Sequence, residues 1–414
     1  MILPCKPMGP IPQGFAATGG QLAIGGLSVR DLIAQAGGAP LFVYDAGLIG
    51  QKIAAFRANL PGVALHYAVK ANPFAPLLAF MATKVDGFDI ASAGELARLQ
   101  AAGVAGARIG FAGPGKRDAD LAMAIAAGVT LHIESAREAD RALDAGGRAG
   151  IAPRLAIRVN PDFELGGAGM RMGGGARPFG IDAEAVPALA RRLVAAGADW
   201  QGFHVYGGSQ SLDAGAIVAA QAATLDLVAR LAEAAGVGVP ICNLGGGFGI
   251  PYFAGQPPLD LAAVGSGLGE ALARRAPVLK ETRFVIELGR WLVGEAGVYL
   301  AEIVDRKTSR GETFLVIDGG LHHQLAASGN FGSVIRRNYP CAVATRFDAA
   351  ADDVAHVVGC LCTPLDRLGD SLALPHAEPG DVIALFGAGA YGASASPSAF
   401  LGHGPARELL VGLG

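Results

Sequence analysis

From residue 64 to residue 288, short apolar runs alternate with Ala- and Leu-rich stretches whose apolar positions recur at helical spacing. The runs are Ala64 to Val69, Gly87 to Ala91, Ala107 to Ala112, Thr130 to Ile133, Leu155 to Val159, Gln201 to Val205, Ile241 to Leu244 and Phe284 to Leu288. Helical stretches such as Gly94 to Ala102, Asp118 to Ala127, Ala183 to Ala196 and Ala214 to Ala235 separate them. Eight strand and helix pairs predict an α/β fold, a closed parallel (β/α)8 barrel. Ahead of this rhythm the first 40 residues are Pro- and Gly-rich with one amphipathic piece over Leu27 to Gln35, and Leu41 to Asp45 reads as a strand leading into a helix over Ala46 to Leu60. Beyond Arg290 the rhythm stops, and Gly297 to Asp305, Phe314 to Asp318, Val354 to Val358 and Asp381 to Phe386 predict a mostly antiparallel β domain. The expected division is an N-terminal segment (1–40) packing with the β domain, a barrel (41–285) and a C-terminal β domain (286–414).

In such a barrel the residues just past each strand share one rim, where chemistry is placed. Here they are Lys70, Asp89 with Ser92 and Glu95, Gly113-Pro114-Gly115, Glu134-Ser135, Asn160, His204, Gly245-Gly246-Gly247, and Glu287 with Gly289-Arg290, a set far more polar than the strands feeding it. In Tyr67-Ala68-Val69-Lys70-Ala71-Asn72-Pro73, Asn72-Pro73 forbids simple continuation and leaves Lys70 at the end of a buried strand. Partial desolvation there favours the neutral amine that attacks carbonyls; a snorkelling surface lysine is the plainer alternative. Gly166 to Pro178 follows Asn160 and reads either as a lid or as a solvent loop.

The length of 414 residues fits two domains, and 51% hydrophobic residues supply core for both. A net charge of -3 offers no basic field for nucleic acid or anionic membrane, which leaves small-molecule chemistry. Cys5, Cys242, Cys341, Cys360 and Cys362 show no spaced framework, and no histidine sits at ligand spacing from the Cys360/Cys362 pair. No metal site is therefore expected, and the expected setting is reduced and cytoplasmic. No uninterrupted apolar run reaches the length of a membrane span and the N-terminus lacks the order of a signal peptide, so a soluble, unprocessed chain is expected.

Three glycines directly after a strand, Gly245 to Gly247, let backbone amides approach an anionic phosphate. Glu287 brings a carboxylate out at the end of the last strand; beside a pyridine nitrogen it would keep that nitrogen protonated, and without a cofactor it would pair with Arg290. His204 could stack on a flat ring, Ser209 and Tyr391 could reach a phosphate, and Cys362 could serve as a general acid. His322 and His323 look metal-like, yet neighbours on a strand face opposite ways, and both stay unassigned.

The ordered segments YAVKANP (67–73), FDIASAGE (88–95), the His204 stretch, NLGGGFG (243–249), ELGR (287–290), CTPLD (362–366) and GAYG (389–392) resemble the fold-type III pyridoxal-phosphate decarboxylases, the diaminopimelate and ornithine decarboxylase family, over nearly the whole chain. GMRMGGGARPFGID, GLHHQLAASGNFG and CTPLDRLGD are similar to the branch associated with exosortase A systems, and a related branch acts on aminoacyl groups carried on acyl-carrier proteins. The resemblance implies a TIM-type, alanine racemase-like barrel binding pyridoxal 5'-phosphate. Lys70 would form the Schiff base, Glu287 would pair with the ring nitrogen and His204 would stack on the ring. Ser209, Gly245, Gly246, Gly247, Arg290 and Tyr391 would hold phosphate, with Asp89 and Arg158 in support and Cys362 as proton donor. It further implies a head-to-tail homodimer with shared active sites, acting on an amino acid or a carrier-tethered aminoacyl group. A diaminopimelate decarboxylase proper, a racemase on the same fold and a non-catalytic carrier of the cofactor are the alternatives.

This chain departs from the family pattern in three places: ELGR replaces EPGR, the segment from His204 to Ser209 is two residues longer, and Thr363 stands where the family has an acid after the cysteine. A neutral threonine cannot pair with the distal ammonium of a basic amino acid. Meso-diaminopimelate, lysine and ornithine are therefore not the expected substrates. Arg336 and Arg337 could meet a distal carboxylate or be solvated.

Overall fold

A computed structural model describes residues 5–163, 170–171, 173–331 and 336–413, and the chain divides into two compact units. The first half of the Gly166–Pro178 stretch, together with Met172, lies largely outside the described residues.

The barrel unit comprises Ile53–Ile250 and Pro258–Gly289. Its strands are Ala64–Ala68, Gly87–Ile90, Ile109–Phe111, Thr130–Ile133, Arg154–Asn160, Asp199–Val205, Ile241–Asn243 and Arg283–Leu288. All neighbours are parallel, and the strand Thr130–Ile133 pairs with Arg154–Asn160 to close the ring. Every apolar run read from the sequence is one of these strands, because both faces of a barrel strand are buried and the run is continuous rather than alternating. Helix starts follow from local chemistry: the Ser92, Ser135 and Asp213 side chains accept from the Glu95, Glu138 and Ala216 amides at the starts of Ala93–Ala101, Ala136–Ala149 and Ala214–Ala235. Among the described residues only Ala214–Ala235 is long and apolar enough to cross a membrane. It buries Ile217, Leu225, Val228 and Leu231 and packs beside Val186–Ala195 and Leu261–Ala273 as a barrel helix.

One irregularity positions chemistry. The register of Asp199–Val205 against Arg154–Asn160 shifts between Trp200 and Gly202. Gly202 has φ +109, and a Cβ there would lie 2.1 Å from the Ile241 carbonyl oxygen, so only glycine fits this bulge, beyond which His204 pairs with Arg158 and Asn243.

The sheet unit comprises Met1–Lys52, Pro251–Pro257 and Arg290–Gly414. Its main sheet runs Cys341–Val343, Val382–Phe386, Gly297–Ser309, Glu312–Ile317, Asp353–Val358 and Arg367–Leu374, antiparallel except for the pairing of Glu312–Ile317 with Asp353–Val358. Leu41–Asp45 pairs with Gly297–Ser309 on one side and Arg407–Val411 on the other. This corrects the expectation that the barrel begins at residue 41. All five residues of Leu41–Asp45 are buried, as in a barrel strand, and nothing local distinguishes a strand central to one sheet from a strand of the other. Leu22, Ile24, Val29 and Leu32 from the N-terminal segment share a core with Leu41, Val43, Val298 and Phe386.

Candidate active site

The strand Ala64–Ala68 ends in a single 3-10 turn, Val69–Ala71, that carries Lys70. The turn is held where the sequence forbids continuation: the Asn72 amide donates to the Val69 carbonyl, the Tyr67 hydroxyl donates to the Asn72 carbonyl at 2.9 Å, and Asn72 Oδ1 accepts from the Phe74 amide. Lys70 stands at a cavity of about 440 Å³ whose wall includes Asp89, Arg158, His204, Tyr206 and Glu287. The lysine is exposed, so the expectation of a desolvated amine is not met. What surrounds its charge is the Tyr206 ring, 5.5 Å from Nζ, and the carboxylates of Glu287 and Glu95.

Strand register accounts for the convergence. Glu287 lies beside His66, His66 beside Gly87, Asp89 beside Gly110, and His204 between Arg158 and Asn243. Glu287 Oε2 accepts from Asn243 Nδ2 at 3.1 Å and lies 3.3 Å from His204 Nε2, a charge contact without hydrogen-bond alignment. Burial alone would push the Glu287 carboxyl up, but His204 and Lys70 together hold it well below the usual carboxylate range. Asp89 behaves oppositely: burial and the neighbouring Glu287 charge push it up against the pull of His66, whose Nδ1 lies 3.1 Å from Asp89 Oδ2. His132, 4.4 Å from the His204 ring, is held neutral by burial. Arg158 is turned to Glu134, with Nη1 2.8 Å from Oε1, and packs over Phe179.

The glycine turn is bound into the barrel. The Gly245 amide donates to Asn243 Oδ1 at 2.9 Å, the Glu287 amide donates to the Gly245 carbonyl at 2.8 Å, and a Cβ on Gly246 would lie 1.9 Å from the Glu287 carbonyl oxygen. Gly246 shares a small second cavity with Gly207 and Gly208. Ser209 is buried in the short strand Gly208–Ser209, paired with Met170–Arg171.

Arg290, Tyr391 and Cys362 belong to the sheet unit. There the half-buried Arg290 donates from Nη1 to the Tyr252 hydroxyl at 3.0 Å, lies 4.7 Å from the Tyr391 ring, and has an Nε without a hydrogen-bond partner among the described residues. Burial opposes its charge, yet Tyr252, Tyr391 and Tyr339 raise its pKa above the usual value. Arg337 stacks 3.8 Å over Phe253, and Arg336 Nε donates to the Ser328 carbonyl. Cys362 is exposed. Cys360 does have a histidine partner, correcting the expectation drawn from spacing: its Sγ lies 3.9 Å from His403 Nδ1, brought there by the fold from 43 residues away.

His66, His132 and Asn243 were not singled out by sequence reasoning. Their signal was available: each stands on the same inward-facing alternation as a rim residue, His132 two positions before Glu134 and Asn243 two before Gly245. Lys116, buried and bonded to the Gly113 and His132 carbonyls and to Glu138, gave no such signal.

Residues 46–294 match the family described as pyridoxal-dependent decarboxylase, pyridoxal binding domain. The chain belongs to this family. It is 37% identical over 383 residues to L-glutamyl-[BtrI acyl-carrier protein] decarboxylase of Niallia circulans, covering 90% of this chain and 88% of that protein. It is 32% identical over 402 residues to diaminopimelate decarboxylase of Archaeoglobus fulgidus, covering 96% and 93%. Among solved structures, Helicobacter pylori diaminopimelate decarboxylase complexed with L-lysine superposes with a TM-score of 0.81 at 26% identity over 92% of this chain and 94% of that one. The M. jannaschii enzyme, at 23% identity and a TM-score of 0.86 over 96% and 93%, shares the fold. The decarboxylase is thus of fold-type III, and its cofactor is pyridoxal phosphate. The barrel cavity fits that group: an amine stands at its mouth, and on its wall Asp89 Oδ1 and both His204 ring nitrogens are buried without hydrogen-bond partners among the described residues.

Proposed function

We propose that this decarboxylase removes the α-carboxyl group of an aminoacyl unit tethered to an acyl-carrier protein, with Lys70 holding the cofactor aldehyde as a Schiff base. The observation that carries the assignment of roles is the convergence of Lys70, Glu287, His204 and Asp89 on one cavity. When bound, the cofactor supplies the electron sink that makes loss of carbon dioxide possible. Glu287, kept ionised beside His204 and Lys70, would hold the ring nitrogen protonated. His204 would stack on the ring, with Asp89 and Arg158 in support from the wall of the same cavity. The phosphate is assigned to Gly245, Gly246 and Gly247, with Ser209, Arg290 and Tyr391 as further ligands by motif. By the same motif reading Cys362, from the second subunit of a homodimer, would be the acid that returns a proton to the substrate's α-carbon before the amine product leaves.

Two facts support a tethered substrate: the relative named as acting on a glutamyl carrier protein, and Thr363, which offers no charge to a distal ammonium. The segments GMRMGGGARPFGID, GLHHQLAASGNFG and CTPLDRLGD favour the exosortase A-associated branch, and the unpaired cysteine pattern favours a cytoplasmic setting. The test is carbon dioxide release from glutamyl-loaded carrier protein alongside free meso-diaminopimelate, lysine and ornithine. Turnover of a free basic amino acid at the rate of the tethered one refutes the substrate assignment. Lys70→Ala should abolish borohydride-fixable cofactor, and its retention refutes the role of Lys70.

A further inference from the structure

We propose that the sheet unit holds a divalent transition-metal site of the zinc type, formed by His322, Cys360 and His403. One ligand atom from each lies within 4.8 Å of the others, although they come from three separate loops. A tetrahedral zinc ion with Zn–S of about 2.3 Å and Zn–N of about 2.0 Å needs ligand atoms roughly 3.3 to 3.5 Å apart. The Cys360 Sγ to His403 Nδ1 separation of 3.9 Å is already close to that.

His322 supplies the independent observation. It is 0% exposed, and neither of its ring nitrogens has a hydrogen-bond partner among the described residues. A buried imidazole with both nitrogens unused has lost its hydration without replacement, a deficit that a metal bond would make good. His403 is exposed, so the site opens to solvent on that side and an ion can enter.

The loops are also fixed before any ion arrives. Asp366 accepts from the Leu321 amide at 2.6 Å and the Leu361 amide at 2.9 Å, the residues adjoining His322 and Cys360. A Cβ on Gly320 or Gly359 would lie 2.5 or 2.1 Å from Asp366 Oδ2, so both glycines make room for this clamp. The third loop is held by His323, the neighbour of His322, which spans from the Tyr299 hydroxyl to the Gly404 carbonyl, each at 2.9 Å, and Gly404 adjoins His403. Each ligand thus sits beside a backbone group pinned by a neighbouring side chain, the support that oriented metal ligands require. Three protein ligands leave the fourth position to water or a substrate group. Binding releases the Cys360 thiol proton to solvent.

The test uses chelator-treated, full-length holoenzyme, with Zn²⁺ titrated against a chromophoric competitor and Co²⁺ as the spectroscopic probe. The expected result is one Zn²⁺ per chain and a Co²⁺ spectrum with tetrahedral visible bands and a thiolate charge-transfer band. Cys360→Ser should abolish the charge-transfer band, and the exposed His403→Ala should weaken Zn²⁺ binding roughly 100-fold or more. Cys362→Ser should leave both unchanged. Absence of stoichiometric binding, binding indifferent to Cys360→Ser or His403→Ala, or a thiolate band that disappears with Cys362 instead would each overturn the assignment.

Discussion

Lys116→Met probes the charge network behind the cavity wall. The Lys116 ammonium donates to the Gly113 carbonyl at 2.7 Å, the His132 carbonyl at 2.9 Å and Glu138 Oε1 at 2.6 Å. The two charged side chains are 1% and 4% exposed. Burial pushes Lys116 down against the attraction of Glu138 and pushes Glu138 up against the attraction of Lys116, so mutual attraction does not fully offset desolvation. In that regime, removing one partner strands a buried charge and costs about 3–5 kcal/mol. Replacing both partners by apolar side chains removes the stranded charge and leaves the two carbonyls short of a donor and the Glu134 amide short of an acceptor, neutral groups at about 1–3 kcal/mol each at most. For a barrel of this size 1 kcal/mol moves Tm by about 2–4 °C, so Lys116→Met should lower Tm by roughly 6–20 °C. The double variant Lys116→Met/Glu138→Leu should unfold above the single one. The assay is thermal unfolding of holoenzyme at a fixed scan rate, read by near-ultraviolet circular dichroism. Activity should fall as well, because Glu138 Oε2 accepts from the Glu134 amide and Glu134 holds both Arg158 and the Gly180 amide. A Lys116→Met Tm within about 2 °C of wild type, or a double variant whose loss equals the sum of the two singles, refutes the reasoning.

Gly246→Ala drives a methyl group into the Glu287 carbonyl, and because the obstacle is backbone the strand must shift; cofactor affinity and Tm should both drop, measured by cofactor titration and calorimetry. Glu287→Gln should cut kcat/KM by about 100-fold or more with the cavity intact, checked by steady-state assay and cofactor absorbance. The Glu287 folded pKa is depressed, so its contribution to stability is full above the unfolded value near about 4.3 and is lost below it; the stability gap between wild type and Glu287→Gln should shrink as pH falls through that region in urea melts. Asp318 carries the opposite sign: burial raises it to about 6, so the folded state takes up its proton first and stability falls as pH rises from about 4 to 6. Asp318→Asn, which keeps an acceptor for the Glu302 amide, should gain on wild type across that window and hold a constant advantage above it.

The barrel was legible in the chain and much of the sheet unit was not, for one physical reason. A barrel strand is apolar on both faces and is followed by its own helix, so a run such as Thr130–Ile133 declares itself and its neighbours locally. Arg367–Leu374 carries Gly369 and Asp370 in its interior, Cys341–Val343 is three residues long, and neither gives a period. Within the site, Lys70, Glu287 and His204 were readable because barrel topology sends every strand end to the same rim. His322, Cys360 and His403 have no such rule to join them. His322 and Cys360 meet because Asp366, which reads in CTPLD as one more polar residue, reaches two backbone amides through space left by Gly320 and Gly359, and His403 joins them through the His323 contact with the Gly404 carbonyl. A strand end carries its address in the fold's symmetry, whereas a loop cluster takes its address from a few tertiary hydrogen bonds. A change at Asp366 should therefore disperse that cluster while leaving the barrel cavity intact.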